Sequence, residues 1–471
     1  MGLSDRSVKR SIPKFHRHRS YILEGVEMNV NLNARRQRAL LYVCALMVLL
    51  GLTAAANATT WYVGPTRTYK TPCAVSNLVA NGDTVYIDYS PSTGPGVGYY
   101  DDTCTWNASN LSLIGVMDSN GKRPVLNTAG LLDTPDTGHI AGYKAIWVTN
   151  GTNVTIENME FENAQVNNDD GANGAGIRSQ GVNLTILNSY FHNNQDGILE
   201  SNVATSNIVI KNSEFYQNGV SDPDIWRGYG QTHNLYIGHC ASLLFEDNYT
   251  HASNVGHLLK TRAAVNYILY NKIAQENGTS SYEINIPNGG TSYVIGNVIQ
   301  EGPNAGNPTL LSYREEGLTS NNPGQDLYVV NNTFVNQLGS SATFVVDRAT
   351  TVGAFLENNI FYGGGTVTSQ TMPTPTEITN YSVSNDPAMF VNIDKYKFDL
   401  TASAGSPPID SGTTPGLSTE GYALTPQYQY IQHADQAGNF ECNQVRTIVN
   451  GTIDIGAYEY NNDGRVTCPA K

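Results

Sequence analysis

The chain has 471 residues, with 27 Lys and Arg against 41 Asp and Glu, a formal net charge of −14, and 14% charged residues in all. That acidic balance excludes nucleic acid and anionic membrane surfaces as expected partners. It admits a polyanionic substrate only where a local basic patch or a bound cation overrides the mean field.

The first element in chain order is an export signal. Residues 35–58 read RRQRALLYVCALMVLLGLTAAANA. Arg35, Arg36 and Arg38 precede an apolar run, and Ala56-Asn57-Ala58 fits a signal-peptidase site. The run is short for a membrane span and the cleavage pattern follows it directly, so export is expected, with an uncleaved anchor as the alternative. Residues 1–27 are basic and unpatterned, and a start at Met28 would leave an ordinary signal peptide. Removing residues 1–58 takes away nine basic and three acidic residues, so −14 becomes −20 and 18 Lys and Arg remain. The expected product is a secreted or periplasmic monomer, exported by a bacterial Sec route and without a membrane partner. Its N-x-S/T sequons are therefore not read as glycosylation sites.

The mature chain opens with TPCAVSNLVANGDTVYI (71–87), which predicts a short amphipathic helix and then a strand, suited to capping a stack of strands. Five cysteines remain after cleavage. Export permits disulfides, and Cys73 with Cys104 and Cys442 with Cys468 form local pairs near the two ends. Cys240 is left over, and no spacing resembles a zinc site.

From residue 153 a repeat begins: NVTIENMEF (153), NLTILNSYF (183), NIVIKNSEF (207), SLLFEDNYT (242), NYILYNKIA (266), SYVIGNVIQ (292), DLYVVNNTF (326) and GAFLENNIF (353). The equivalent positions are Asn158, Asn188, Asn212, Asp247, Asn271, Asn297, Asn331 and Asn358, at steps of 30, 24, 35, 24, 26, 34 and 27 residues. NLSLIGV (110) is an earlier copy. No long segment has the apolar period of a helix, and each copy holds about three short strands broken by Gly or Asn. Three strands per turn, stacked in parallel, predict an all-β fold: a right-handed parallel β-helix. The recurrent Asn suits a left-handed turn and can bond the rung above, so its role is structural.

The period fades after about residue 365, which divides the chain into a signal (1–58), a β-helix (59–365) and an irregular C-terminal β end with a capping role (366–471). That end contains SNDPAMFVN, LTASAGSPPIDSGT and IDIGAYEY (453–460). At these segments the chain resembles the secreted right-handed parallel β-helix proteins of the pectate-lyase-like superfamily. The resemblance implies that fold and export over roughly residues 60–460, and is weak for substrate.

Insertions in repeat proteins often collect on the binding face. Here VNNDDGANG (166–174), VSDPDIWRGYGQ (220–231) and EEGLTSNNPGQ (315–325) all abut one strand series: AGIRSQ (175), DGILES (196), HNLYIGH (233), HLLKTR (257), YEINIP (282), TLLSYR (309) and TFVVDR (343). In VGHLLKTRA, alternation turns Val255, His257, Leu259 and Ala263 inward and Leu258, Lys260 and Arg262 outward, with the two cations about 7 Å apart. The next rung is expected to present Glu283 and Asn285 outward, and the one after it Arg314. The preceding rung offers Tyr236, bracketed by His233 and His239. The adjoining loop carries Trp226 and Tyr229, which could stack on a sugar ring or simply pack the loop.

That constellation suits β-elimination from a uronate polysaccharide. The reaction needs a cation on the carboxylate, a base for the neighbouring C–H proton and an acid for the leaving oxygen. A lysine beside an arginine has a lowered proton affinity, which suits Lys260 as base. Arg262 suits bidentate carboxylate binding, or acts as helper while a Ca²⁺ held by Glu283 and Asn285 supplies the charge. The segment HLLKTRAAVNYILYNKIAQENGTSSYEINIPNGG is similar to the region of chondroitinase-B-like and alginate-lyase-like β-helix enzymes that carries a lysine base on one rung and an arginine on the next. Lys260 fits the lysine. The next rung, SSYEINIPNGG, lacks the arginine, and His257 stands where the family has an acidic calcium ligand. Of the histidines, His233 and His239 are acid–base candidates, whereas His192 and His251 hold equivalent positions in a side-chain stack. Two other readings stay open: a non-catalytic glycan-binding or spacer protein, and a glycosidase using carboxylates such as Asp196 and Glu200.

Overall fold

The structure is a computed structural model that describes residues 58–90, 99–128, 141, 144–166, 171–219, 231–339, 342–370, 373–405, 407–431 and 442–460. The expected signal segment therefore lies outside the described residues, apart from Ala58. The remainder winds into three long parallel sheets. Sheet I has 12 strands, from Thr60–Val63 to Thr376–Ile378. Sheet II has 11, from Tyr99–Tyr100 to Tyr381–Val383, and sheet III has 10, from Cys104–Trp106 to Thr366–Gln370. One rung runs Leu184–Leu187, Tyr190–His192, Asp196–Glu200, giving one strand to each sheet. The fold is a right-handed parallel β-helix, as the repeat predicts.

The turn between sheets I and II explains the asparagines, with one correction. Asn158, Asn188, Asn212, Asp247, Asn331 and Asn358 have φ between 47° and 59°, in the left-handed region that a short polar side chain tolerates. On the two intervening rungs that place is taken by Tyr270 and Gly296, so Asn271 and Asn297 stand one residue further on than the repeat alignment puts them. They belong to a second, buried ladder. The backbone N–H of Ser213 donates to the Asn248 side chain at 3.0 Å, Asn248 to Asn271 at 2.8 Å, Asn271 to Asn297 at 2.8 Å, and Asn297 to Asn332 at 2.9 Å. Each amide side chain thus satisfies a peptide group that the tight turn would leave unpaired inside the protein.

Inside the coil, equivalent residues stack by kind. Phe161, Phe191 and Phe215 lie in register on sheet II, with ring centroids 5.1 and 4.9 Å apart. They pack against Ile177, Ile198 and Leu235 of sheet III. Outside, the described part of the C-terminal segment folds back over the later rungs of two of the three faces. Met389, Phe390, Phe398, Ile455 and Tyr458 cluster with Val298, Val335 and Ile360 of sheet II, while Leu424 and Tyr422 cluster with Tyr293 and Tyr328 of sheet I. The segment adds two antiparallel pairs, Phe390–Asn392 with Lys397–Leu400 and Tyr428–Ile431 with Cys442–Val445.

The N-terminal helical cap is not formed. Residues 72–75 make a single 3-10 turn instead. The Asp102 carboxylate accepts from the Cys73 N–H, the Cys73–Cys104 disulfide fixes the same turn, and Asp83 accepts from Thr59 and Ala80. These ties hold the segment to the first rung and leave it no length for a helix. Cys240 is a buried free thiol. Cys468 lies outside the described residues, and with it the expected Cys442–Cys468 pair. Among the described residues, no helix is long and apolar enough to cross a membrane.

Candidate active site

Sheet III carries the candidate site. Its register sets one outward column: Val148, Arg178, Leu199, Tyr236, Lys260, Asn285, Ser312 and Val346. Val148, Leu199, Asn285, Ser312 and Val346 are each at most 5% exposed, whereas Arg178, Tyr236 and Lys260 are half-buried. The accessible stretch of the column therefore runs from Arg178 to Lys260.

Lys260 stands over Tyr236, its Nζ 5.5 Å from the ring centroid, and makes no hydrogen bond or ion pair among the described residues. Burial and then Arg262 lower its proton affinity, while Glu316 and Asp196 work the other way. Arg262 is fully engaged. Its Nε donates to the Tyr236 hydroxyl at 2.9 Å, its Nη1 to Asn288 and to Glu316 at 2.6 Å, and its Nη2 to Glu316 at 3.1 Å. The fork expected to take a substrate carboxylate already holds one, from the 315–325 insertion. Tyr236 accepts from Arg262, and among the described residues its own hydroxyl proton has no acceptor.

The two bracketing histidines differ. His233 is 2% exposed, and its Nδ1 accepts from the His257 N–H at 3.0 Å. Its ring stacks on His257 and Tyr236. Burial, and then the neighbouring His257 and the charges of Lys260 and Arg262, keep it neutral, with its proton on Nε2. It is a packing residue under the site and is corrected from the acid–base candidates, because no surface is left for a substrate to touch. His257, set inward by alternation, is half-buried in the same stack, with Nδ1 accepting from Tyr282 at 3.3 Å. Burial and Lys260 drive its pKa down to about 3. His239 is half-buried on the Arg262–Glu316 side, and burial and then Arg262 lower its proton affinity. His192 and His251 are on sheet II, two rungs apart in one column, as the repeat implies. Despite burial, Glu276 and Glu214 push His251 up to about 9.

Three other expectations change. Glu283 is fully buried, not outward. The register sets it between Leu258 and Leu310, both core residues, and the Glu301 carboxyl acts on it. Asn285 stays on the outward column and donates to Ser312 at 3.4 Å. Glu283 and Asn285 therefore do not converge on a cation, and the described residues hold no cluster of three or more His, Cys, Asp or Glu fit for a metal. Arg314 has φ 64° and turns to the following rung, donating to the Arg348 carbonyl and to Thr350. Trp226 and Tyr229 lie outside the described residues.

Other groups join the site. Glu316 and Asn288 fix Arg262 from loops. Asp196 is fully buried, accepts from the His233 N–H at 2.8 Å, and feels both Arg178 and Lys260. Burial holds its carboxyl well above the usual range and raises that of Glu200, nearby, to about 7. The spacing in sequence hides Glu316, which is 54 residues from Arg262. Among the described residues the arrangement offers an amine of lowered proton affinity with no hydrogen bond or ion pair, a hydroxyl beside it whose proton has no acceptor, and a guanidinium that binds carboxylate.

No family model matches the chain, and no curated protein does. Among solved structures, pectate lyase Pel9A aligns with a TM-score of 0.50 at 16% identity, over 86% of this chain and 96% of that one. A pectin methylesterase from Aspergillus niger aligns with a TM-score of 0.32 at 13% identity, over 69% and 86%. The chain shares with the pectate lyase its fold, the right-handed parallel β-helix.

Proposed function

We propose that the chain is an exported carbohydrate-active enzyme that cleaves a uronate-containing polysaccharide by β-elimination. The observation that carries the reading is Lys260: a half-buried lysine, without a hydrogen bond or ion pair among the described residues, on sheet III and clear of the described C-terminal packing on sheets I and II, beside a guanidinium that lowers its proton affinity. In the reaction the neutral amine takes the proton from the carbon next to the uronate carboxylate. The electrons form the ring double bond, and the glycosidic oxygen departs with a proton. Tyr236 gives that proton: its oxygen accepts from Arg262, and its hydrogen has no acceptor among the described residues. The substrate carboxylate takes the Arg262 fork in place of Glu316, a side chain half exposed and so cheap to displace. The similarity of fold to a pectate lyase is compatible with this chemistry and does not carry it.

The test is ultraviolet absorbance of the unsaturated product as residues 59–471 meet a panel of uronate polysaccharides, with and without calcium. A rise with one polymer is expected. Reducing ends without absorbance would mean hydrolysis. Silence in both assays would leave a glycan-binding or scaffold protein.

A further inference from the structure

Arg178 is anomalous. It occupies the outward column between Val148 and Leu199, both buried apolar residues, and its guanidinium forms no ion pair or hydrogen bond among the described residues. Its Nε is buried without a partner. Asp196 and Glu200 act on it electrostatically, but each is tied elsewhere, Asp196 to the His233 N–H at 2.8 Å and Glu200 to the Gly238 N–H at 2.9 Å. A cation half removed from water with no ion pair or hydrogen bond among the described residues destabilises the free protein, and an anionic ligand at the accessible end of the guanidinium would complete it. Along the same column, Arg178 and Lys260 mark the two ends of the accessible stretch, with Tyr236 between them. They are three rungs apart, about 14 Å at about 4.8 Å per rung.

We propose that Arg178 is a second anion subsite, which takes a carboxylate of the same polyuronate chain whose cleavage site lies at Lys260, so that the substrate runs along the solenoid axis across the strands. This rests on the uronate reading above and adds the direction in which the chain lies and the length that it must have. Leu199 and Tyr236 form the apolar floor between the two charged ends.

The experiment compares a dimer with an octamer of whichever polyuronate yields product, using the wild type, Arg178→Ala and Arg178→Lys. If no polymer yields product, oligogalacturonate and oligomannuronate octamers are titrated calorimetrically. The dimer is too short to bridge the two subsites. Loss of a bidentate charged contact should raise the octamer KM relative to the dimer KM roughly 10- to 100-fold in Arg178→Ala, with partial recovery in Arg178→Lys. An unchanged ratio, with a lowered Tm, would overturn the proposal and make Arg178 a structural partner of Asp196 and Glu200. Octamer binding that Arg178→Ala weakens, without elimination by the wild type, would sustain the subsite and sink the lyase reading. A wild type that neither binds nor cleaves the octamer would sink both.

Discussion

A lysine amine that must act as a base near neutral pH needs a reason to lose its proton. Lys260 has two, partial burial and Arg262, and one opposing influence that can be removed by substitution: Glu316, which raises its proton affinity. Glu316→Gln should therefore shift the rising limb of the pH profile of kcat/KM, which reports the free enzyme, to lower pH, since the base form is then reached with less alkali. A limb that stays in place would separate Glu316 from the site. A second residue-scale prediction concerns Glu283 and Glu301, whose four carboxyl oxygens are buried and have no hydrogen-bond partner. Burial, and for Glu283 its neighbour Glu301, raise both; Glu301 reaches about 8 from an ordinary 4.5. Between those values the folded chain keeps a proton that the unfolded chain releases. Stability must then fall as pH rises from about 5 to 8, by up to about 1.4 kcal/mol per pH unit for each proton. Glu301→Gln should flatten that slope and raise Tm at pH 8 relative to wild type. Equal slopes in the two proteins would contradict it.

Why was Glu283 expected outward? Strict alternation fails at this point in sheet III because two successive residues, Glu283 and Ile284, both turn inward. Neighbouring rungs show the doublet: Leu258-Leu259, Leu310-Leu311 and Phe344-Val345 are all core residues. Earlier rungs use Gly176 and Gly197, where a Cβ would come within 3.0 Å of the Phe161, Phe191 and Phe215 side chains. The apolar doublets in HLLKT, TLLSY and TFVVD carried that signal, and Glu283 breaks it. The asparagine ladder was legible as a period but not to the residue, because Tyr270 and Gly296 replace Asn at the left-handed position and shift the visible Asn by one. The ladder makes its own prediction. Asn297 is fully buried; it donates to the Ile268 carbonyl at 2.8 Å and accepts from the Asn271 N–H at 2.8 Å. Asn297→Ala orphans both buried groups and should cost about 3 kcal/mol in denaturant unfolding. Asn150→Ala removes an exposed rung-to-rung bond to Asn107, at 2.9 Å, and should cost under about 1 kcal/mol. Equal losses would contradict the account of the ladder.

At the scale of the whole molecule, the fold was readable because the chain repeats one local solution, and stacking amplifies a weak signal over many rungs. Lys260, Arg262 and Tyr236 were readable as neighbours for the same reason, since adjacent rungs bring them together. Glu316, Asn288 and the stacking of His233 on His257 were not. They depend on where insertions fold back and on which rings stack at the end of a strand, and neither is periodic. The closing segment decides the rest. Its described residues pack on the later rungs of sheets I and II, from about residue 244 onward, and the Arg178–Lys260 column of sheet III stays clear of them. The account stands most directly on Lys260 as base. The measurement is the rate of unsaturated-product formation by Lys260→Ala against wild type on the responsive polymer, with Tm recorded for both. The account predicts a loss of at least about 100-fold at unchanged Tm, and a rate unaffected by the substitution would contradict it.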